Sequence, residues 1–143
     1  MIRVAAPRFD DRESISKGIS FRMQDYRKLR VWEQAHALAI SARRATDRFP
    51  RTGYASLRSQ ITASAESIAF NIVEGCGTSS QPELARFLEI SRKSSMELEY
   101  QLQLARDYGI LPQAAWETLS KEVIDTRRML CGLRAKVLAS CSK

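Results

Sequence analysis

Four stretches of this chain space their apolar residues three and four positions apart. That period puts one greasy stripe on an α-helix and cannot line one face of a strand. From Arg27 to Phe49 the stripe is Val31, Ala35, Leu38, Ala42, Ala45 and Phe49. Leu57, Ile61, Ala65, Ile68 and Ile72 carry a second, and Leu84, Phe87 or Leu88, Leu98, Leu102 and Ala105 a third. Trp116, Leu119, Val123, Leu130, Leu133 and Val137 make the fourth. No segment alternates with a period of two. Helices of this kind, joined by short connections, run up and down beside one another and bury their stripes together. The expectation is an all-α, up-down-up-down four-helix bundle. A chain of 143 residues fits one such domain, placed at residues 26–143. Residues 1–25 mix charges and serines without a sustained period and read as a tail. Met23 directly precedes the first helical pattern, so residues 1–22 are expected to be an over-long start.

The breaks between stripes carry their own signals. Pro50 ends the first helix, and Gly75 and Gly77 are expected to end the second in left-handed conformations. Ser80-Gln-Pro-Glu83 has the hydroxyl and the third-residue acid of a capping box, with Pro82 tolerated in the first turn, so a third helix begins near residue 81. Gly109 closes it and Pro112 opens the fourth. Ser91, Ser94 and Ser95, in the middle of the third helix, are small enough to let a neighbouring helix come close.

Little in the chain points to catalysis. The three cysteines, Cys76, Cys131 and Cys141, are odd in number and lack CxxC spacing, which argues against a disulfide framework or a thiolate metal site and for a reducing cytoplasm. No apolar run approaches the length of a membrane span or a signal core, so no membrane partner is expected. Glu33 and His36 form the Glu-x-x-His fragment of di-iron bundles. A full site needs two such fragments, and His36 is the only histidine, so no metal is expected. The same shortage leaves serines and cysteines without a base, and Cys76 at a helix C-terminus has a dipole that raises its thiol pKa. No phosphate loop or dinucleotide fingerprint appears, and no cofactor or enzymatic activity is expected.

Two polar patterns remain. Gln60, Ser64, Ser67, Asn71 and Glu74 recur four, three, four and three apart beside the second apolar stripe, at the bundle margin or facing the serines of the third helix. With no partner to tune Glu74 as an acid or base, the stripe reads as a structural network setting helix register or subunit contacts. The second pattern is charge. The chain carries a formal +7, with six basic against two acidic residues over 26–50 and six against three over 110–143. The candidate nucleic-acid contacts are Arg27, Lys28, Arg30, Arg43 and Arg44 on the first helix, and Arg127, Arg128, Arg134 and Lys136 on the fourth. Arginine suits phosphate, and without a helix-turn-helix or a stacking-aromatic motif the binding is expected to be backbone-directed and weakly sequence-specific. The competing reading is a protein–protein adaptor with no nucleic-acid role.

Several motifs, in order, resemble one bacterial family. They are Tyr26-Arg-Lys-Leu-Arg-Val-Trp32, Phe49-Pro50, Ser59-Gln-Ile61, Ser67-Ile68, Asn71-Ile72, Glu74-Gly75, Phe87-Leu88, Glu97-Leu-Glu99, Gln101-Leu102 and Tyr108-Gly-Ile-Leu111. The family includes proteins encoded in intervening sequences of large-subunit ribosomal RNA genes and the accessory variability determinant of diversity-generating retroelements. The resemblance implies a bundle assembled as a ring-shaped homopentamer, with no enzymatic activity, and, in retroelement members, association with a reverse transcriptase and with RNA or DNA through a basic surface. Departures are local. Thr62-Ala63 stands where paired basic residues are common, Ala69 where a proline is common, and Cys76-Gly77-Thr78 lacks the common arginine. These weaken the basic surface of the second helix and leave Arg58 as its candidate contact. Trp32, Phe70, Leu88 and Tyr100 are large groups beyond what one bundle readily hides, which adds to the expectation of self-association.

Overall fold

The computed structural model describes residues 25–141. It contains four long helices and no β-strand among these residues: α1 Arg30–Asp47, α2 Ala55–Cys76, α3 Gln81–Asp107 and α4 Gln113–Cys141. Consecutive helices pack together through the connections 48–54, 77–80 and 108–112, and α1 packs on α4 to close the bundle. The expected tail, apart from Asp25, lies outside the described residues. No described helix is long and apolar enough to cross a membrane.

Most residues of the stripes form the core; Ala45 and Trp116 are only partly buried and pack against it, while Leu29, Cys76, Ala85 and Leu111 join it from outside the stripes. Val31, Leu38, Ile61, Ile68, Ile72, Leu98, Leu102, Val123, Leu130 and Val137 are fully buried. In α3 the choice between Phe87 and Leu88 resolves to Leu88, which is fully enclosed; it is therefore not among the large groups left outside the bundle. Trp32 is half-buried, packed edge-on against Tyr26 and stacked on His36 at 4.9 Å.

Three boundaries differ from the sequence reading, each for a local reason. The first helix does not begin at Arg27. Tyr26–Lys28 forms a 3-10 turn capped by Asp25, whose carboxylate accepts from the Arg27 backbone N–H at 3.0 Å. Leu29 then runs extended (φ −82°, ψ 127°) with its side chain in the core, and only afterwards does α1 start. At the other end α1 stops at Asp47, and Phe49 reaches the core from the loop rather than from the helix. The glycines after α2 do not take left-handed conformations. Gly75 is helical, and Gly77 follows the helix at φ −83° with its N–H bonded back to Val73 and Glu74 carbonyls. Gly75 has a different requirement: a Cβ there would lie 2.9 Å from Leu84 Cδ1 and 3.2 Å from Phe87 Cβ. It lets α3 cross close to the end of α2. Ser80 caps α3 by accepting from the Glu83 N–H at 3.3 Å, and Gly109, at φ +80°, provides the left-handed exit from α3.

Candidate nucleic-acid interface

The side chains of the polar stripe on α2 have three distinct settings. Ser67 Oγ lies 2.8 Å from Ser94 Oγ on α3, and Asn71 Nδ2 donates to the Ser67 carbonyl at 2.8 Å and to its hydroxyl at 3.0 Å. One turn away the Ser91 hydroxyl donates across the same seam to the Ile68 carbonyl at 2.7 Å. Ser64 is buried beside them. These groups join two helices whose small side chains allow close approach, and in the half-buried seam their bonds are kept from water. Gln60 and Glu74, at the two ends of the stripe, are exposed, and Gln60 bonds only to Ser56 on its own helix, at 3.1 Å. The spacing alone placed all five away from open water; the ends of the stripe rotate out of the seam.

The ten candidate basic residues divide by what already holds them. Arg127 reaches from α4 to Glu99 on α3, with Nη1–Oε2 and Nη2–Oε1 distances of 2.9 and 3.4 Å, and both side chains are largely covered. Arg134 Nε lies 3.4 Å from Glu89 Oε2 without the alignment of a hydrogen bond, and Glu89 is gripped by Arg92 at 2.6 and 2.9 Å. Those Arg92 bonds hold the Glu89 carboxyl below the usual carboxylate range. Arg58 donates to the Pro50 carbonyl at 2.6 Å and to the Thr46 carbonyl at 3.4 Å, fixing the loop between α1 and α2. Arg43 pairs with Asp47 and Arg27 with Asp25, both in solvent. Lys28 is exposed and sits in the 3-10 turn. Arg30 and Arg44 on α1 and Arg128 and Lys136 on α4 have no carboxylate partner among the described residues. The sequence could count these charges but not see which acids the fold brings to them across helices.

Where α1 and α4 meet, a groove of about 400 Å³ opens between Arg44 and Arg48 on one side and Ile110, Pro112 and Ala115 on the other. Glu122 also lines it, half-buried; burial pushes its carboxyl above the ordinary carboxylate range, opposed by a hydrogen bond from Ser41. At this end of the bundle two tyrosines from different loops meet. Tyr54 and Tyr108 have ring centroids 5.9 Å apart at an interplanar angle of 41°, and both remain exposed. Sequence reasoning missed this pair, since fifty-odd residues separate its members and neither carries a local signal.

The described residues thus form a bundle of four helices with a 3-10 entry and a serine seam between α2 and α3. The model of the 23S rRNA-intervening sequence protein family matches residues 27–132, from the 3-10 turn into α4. The chain belongs to this family. No curated protein matches it. In this member of the 23S rRNA-intervening sequence protein family, the matched span covers the whole of α1, α2 and α3, with every bond of the seam. It stops short of Arg134 and Lys136, near the end of α4.

Proposed function

We propose that the protein is a non-catalytic, cytoplasmic, oligomeric scaffold that binds nucleic-acid phosphate through the basic surface of α1 and α4. The observation that supports this most directly is that Arg30, Arg44, Arg128 and Lys136 have no carboxylate partner among the described residues, while other arginines are taken up by Glu99, Asp47 and Asp25. Arginine and lysine in that state release counterions on meeting a phosphate chain, which yields affinity without sequence readout. The assembly that suits the family is a ring-shaped homopentamer, and RNA or DNA is the ligand, with a reverse transcriptase or another protein as the further partner.

Retention of RNA and of DNA, measured as salt is raised from low to physiological strength, tests the reading. Affinity should fall linearly with salt on logarithmic axes, and Arg128→Ala or Lys136→Ala should each shallow the slope by about one. Arg127→Ala, which removes a side chain already bonded to Glu99, should leave the slope unchanged. Absence of retention at low salt, or retention indifferent to salt, overturns the proposal. A protein captured independently of salt and nuclease would favour the adaptor role instead.

A further inference from the structure

The loop end of the bundle gathers aromatic faces and unpaired charge in a way that the long basic faces do not. Tyr54 ends the α1–α2 loop and Tyr108 follows α3, and the two rings lean on each other at 5.9 Å while staying 40% and 54% exposed. Both are held from behind. The Tyr54 carbonyl accepts from the Arg58 N–H at 2.9 Å, and the Arg58 guanidinium ties the preceding loop to the Pro50 carbonyl. The Tyr108 N–H bonds to the Leu104 carbonyl at 2.8 Å, and Gly109 turns the chain away beneath it. Arg48 and Arg51 stand on the same loop, exposed and without an acidic partner among the described residues. Arg106 is committed elsewhere: its guanidinium covers the Trp116 ring at 4.0 Å and its Nε contacts Asp107.

Tyr54 is also the single non-glycine residue among the described residues with positive φ, at φ 59° and ψ 14°. A bulky aromatic side chain is a costly choice for that conformation, in which glycine or asparagine is at ease. Strain of this kind is found where a side chain is wanted in a place the relaxed chain would not put it. Here it brings the Tyr54 ring to Tyr108.

We infer that the Tyr54–Tyr108 pair is a stacking platform for an unpaired base of a single-stranded polynucleotide, with Arg48 and Arg51 receiving the flanking phosphates. The inference rests on the phosphate-binding reading above and adds to it a preference for single strands. The two rings already touch, so the base lies on the outer face of the pair and not between them. Every base has a π-face, so the platform is indifferent to sequence, and a duplex, whose bases are stacked on one another, cannot use it. The ribose is not read by any of these groups, so RNA and DNA strands both fit.

The test compares a short oligouridine and an oligothymidine with a duplex of equal length, at one salt concentration, against the full chain. Tyr54→Asn removes a ring while keeping a residue that tolerates the left-handed conformation, and Tyr108→Ala removes the other. Each should weaken single-strand binding roughly 5- to 100-fold, the usual worth of one stacked base. Duplex binding should change less than about twofold, since the phosphate contacts of α1 and α4 are untouched. Tyr108→Phe, which keeps the ring, should bind as the wild type does. Thermal unfolding of the same variants should show Tyr54→Asn at least as stable as the parent, because the substitution relieves the backbone. The platform is overturned if both folded variants retain single-strand affinity, or if strand and duplex weaken together. In those cases salt-dependent binding by the wild type leaves the phosphate reading standing. If no probe is retained at low salt, the two readings fall together.

Discussion

Gly75 shows what a single hydrogen in place of a methyl does for this fold. Alanine is the better helix former by about 1 kcal/mol, but at this position its Cβ would press on Leu84, a core side chain, and on the Cβ of Phe87, which cannot swing aside. Overpacking of that kind costs about 1–3 kcal/mol, so crowding exceeds propensity and Gly75→Ala should lower stability. Gly132, also helical, has nothing within 4 Å of its missing Cβ. Gly132→Ala should therefore raise stability by roughly 0.5–1 kcal/mol. Urea unfolding of both variants checks the pair, and a stabilised Gly75→Ala would mean that Leu84 and Phe87 of α3 do not crowd this position. Glu122 offers a second test at this scale. Burial raises its folded pKa above the unfolded value, so the folded protein holds the proton more tightly. Stability is then lost as pH rises from the ordinary carboxylate range through the folded value, and the full penalty is present at neutral pH. Glu122→Gln should stabilise the protein near neutrality, with the gain vanishing in acid where both states carry the proton. Equal effects at both pH values would show that burial is not what shifts this carboxyl.

Helices were the most legible elements of the sequence, and their contacts the least. Most residues of the four apolar stripes enter the core, because period and burial are the same physical fact seen twice, with Ala45 and Trp116 left at its edge. The ends were harder. Nothing local distinguished a glycine needed for φ, as Gly109 is, from one needed for space, as Gly75 is, since the second depends on a partner helix. The 3-10 turn at Tyr26–Lys28 was hidden because the first apolar stripe starts only at Val31, so nothing apolar upstream marks where α1 begins, and it is the extended Leu29 that separates the turn from the helix. In the candidate site the charges were legible and their pairing was not: Arg127 and Glu99 lie on different helices, and so do Arg134 and Glu89. The α3–α4 clamp can be measured directly. Both members of the Arg127–Glu99 pair are partly exposed, so a double-mutant cycle with Arg127→Ala and Glu99→Ala should give a coupling of about 0.5–1 kcal/mol. A coupling of zero would mean that water already separates the two, and Arg127 would rejoin the phosphate-binding candidates.

At the scale of the whole molecule the outside of the bundle is more apolar than a solitary domain requires. Phe70 on α2 is 63% exposed and Tyr100 on α3 is 62% exposed, with Met96 exposed one turn before Tyr100. These lie on the two helices joined by the Ser67–Ser94 seam, whereas Arg30, Arg44, Arg128 and Lys136 lie on α1 and α4. Phe70, Met96 and Tyr100 thus mark an apolar surface on α2 and α3, apart from the four basic residues of the proposed phosphate surface on α1 and α4. Self-association through the first leaves the second free for an acidic ligand, and a closed ring would repeat the charged face around its circumference, multiplying a weak phosphate contact by avidity. If the homopentamer proposed above forms, light scattering on the eluting protein should give about five times the 16.2 kDa of one chain. Phe70→Glu and Tyr100→Glu each set a charge against an apolar neighbour in such an assembly and should shift the mass towards one chain, with helical circular dichroism unchanged because neither side chain serves the core. The same variants should bind long RNA more weakly than the parent but a short oligonucleotide equally well, since only the long strand spans several subunits. A wild-type mass of one chain would remove the ring and the avidity with it, leaving each bundle to hold its ligand alone.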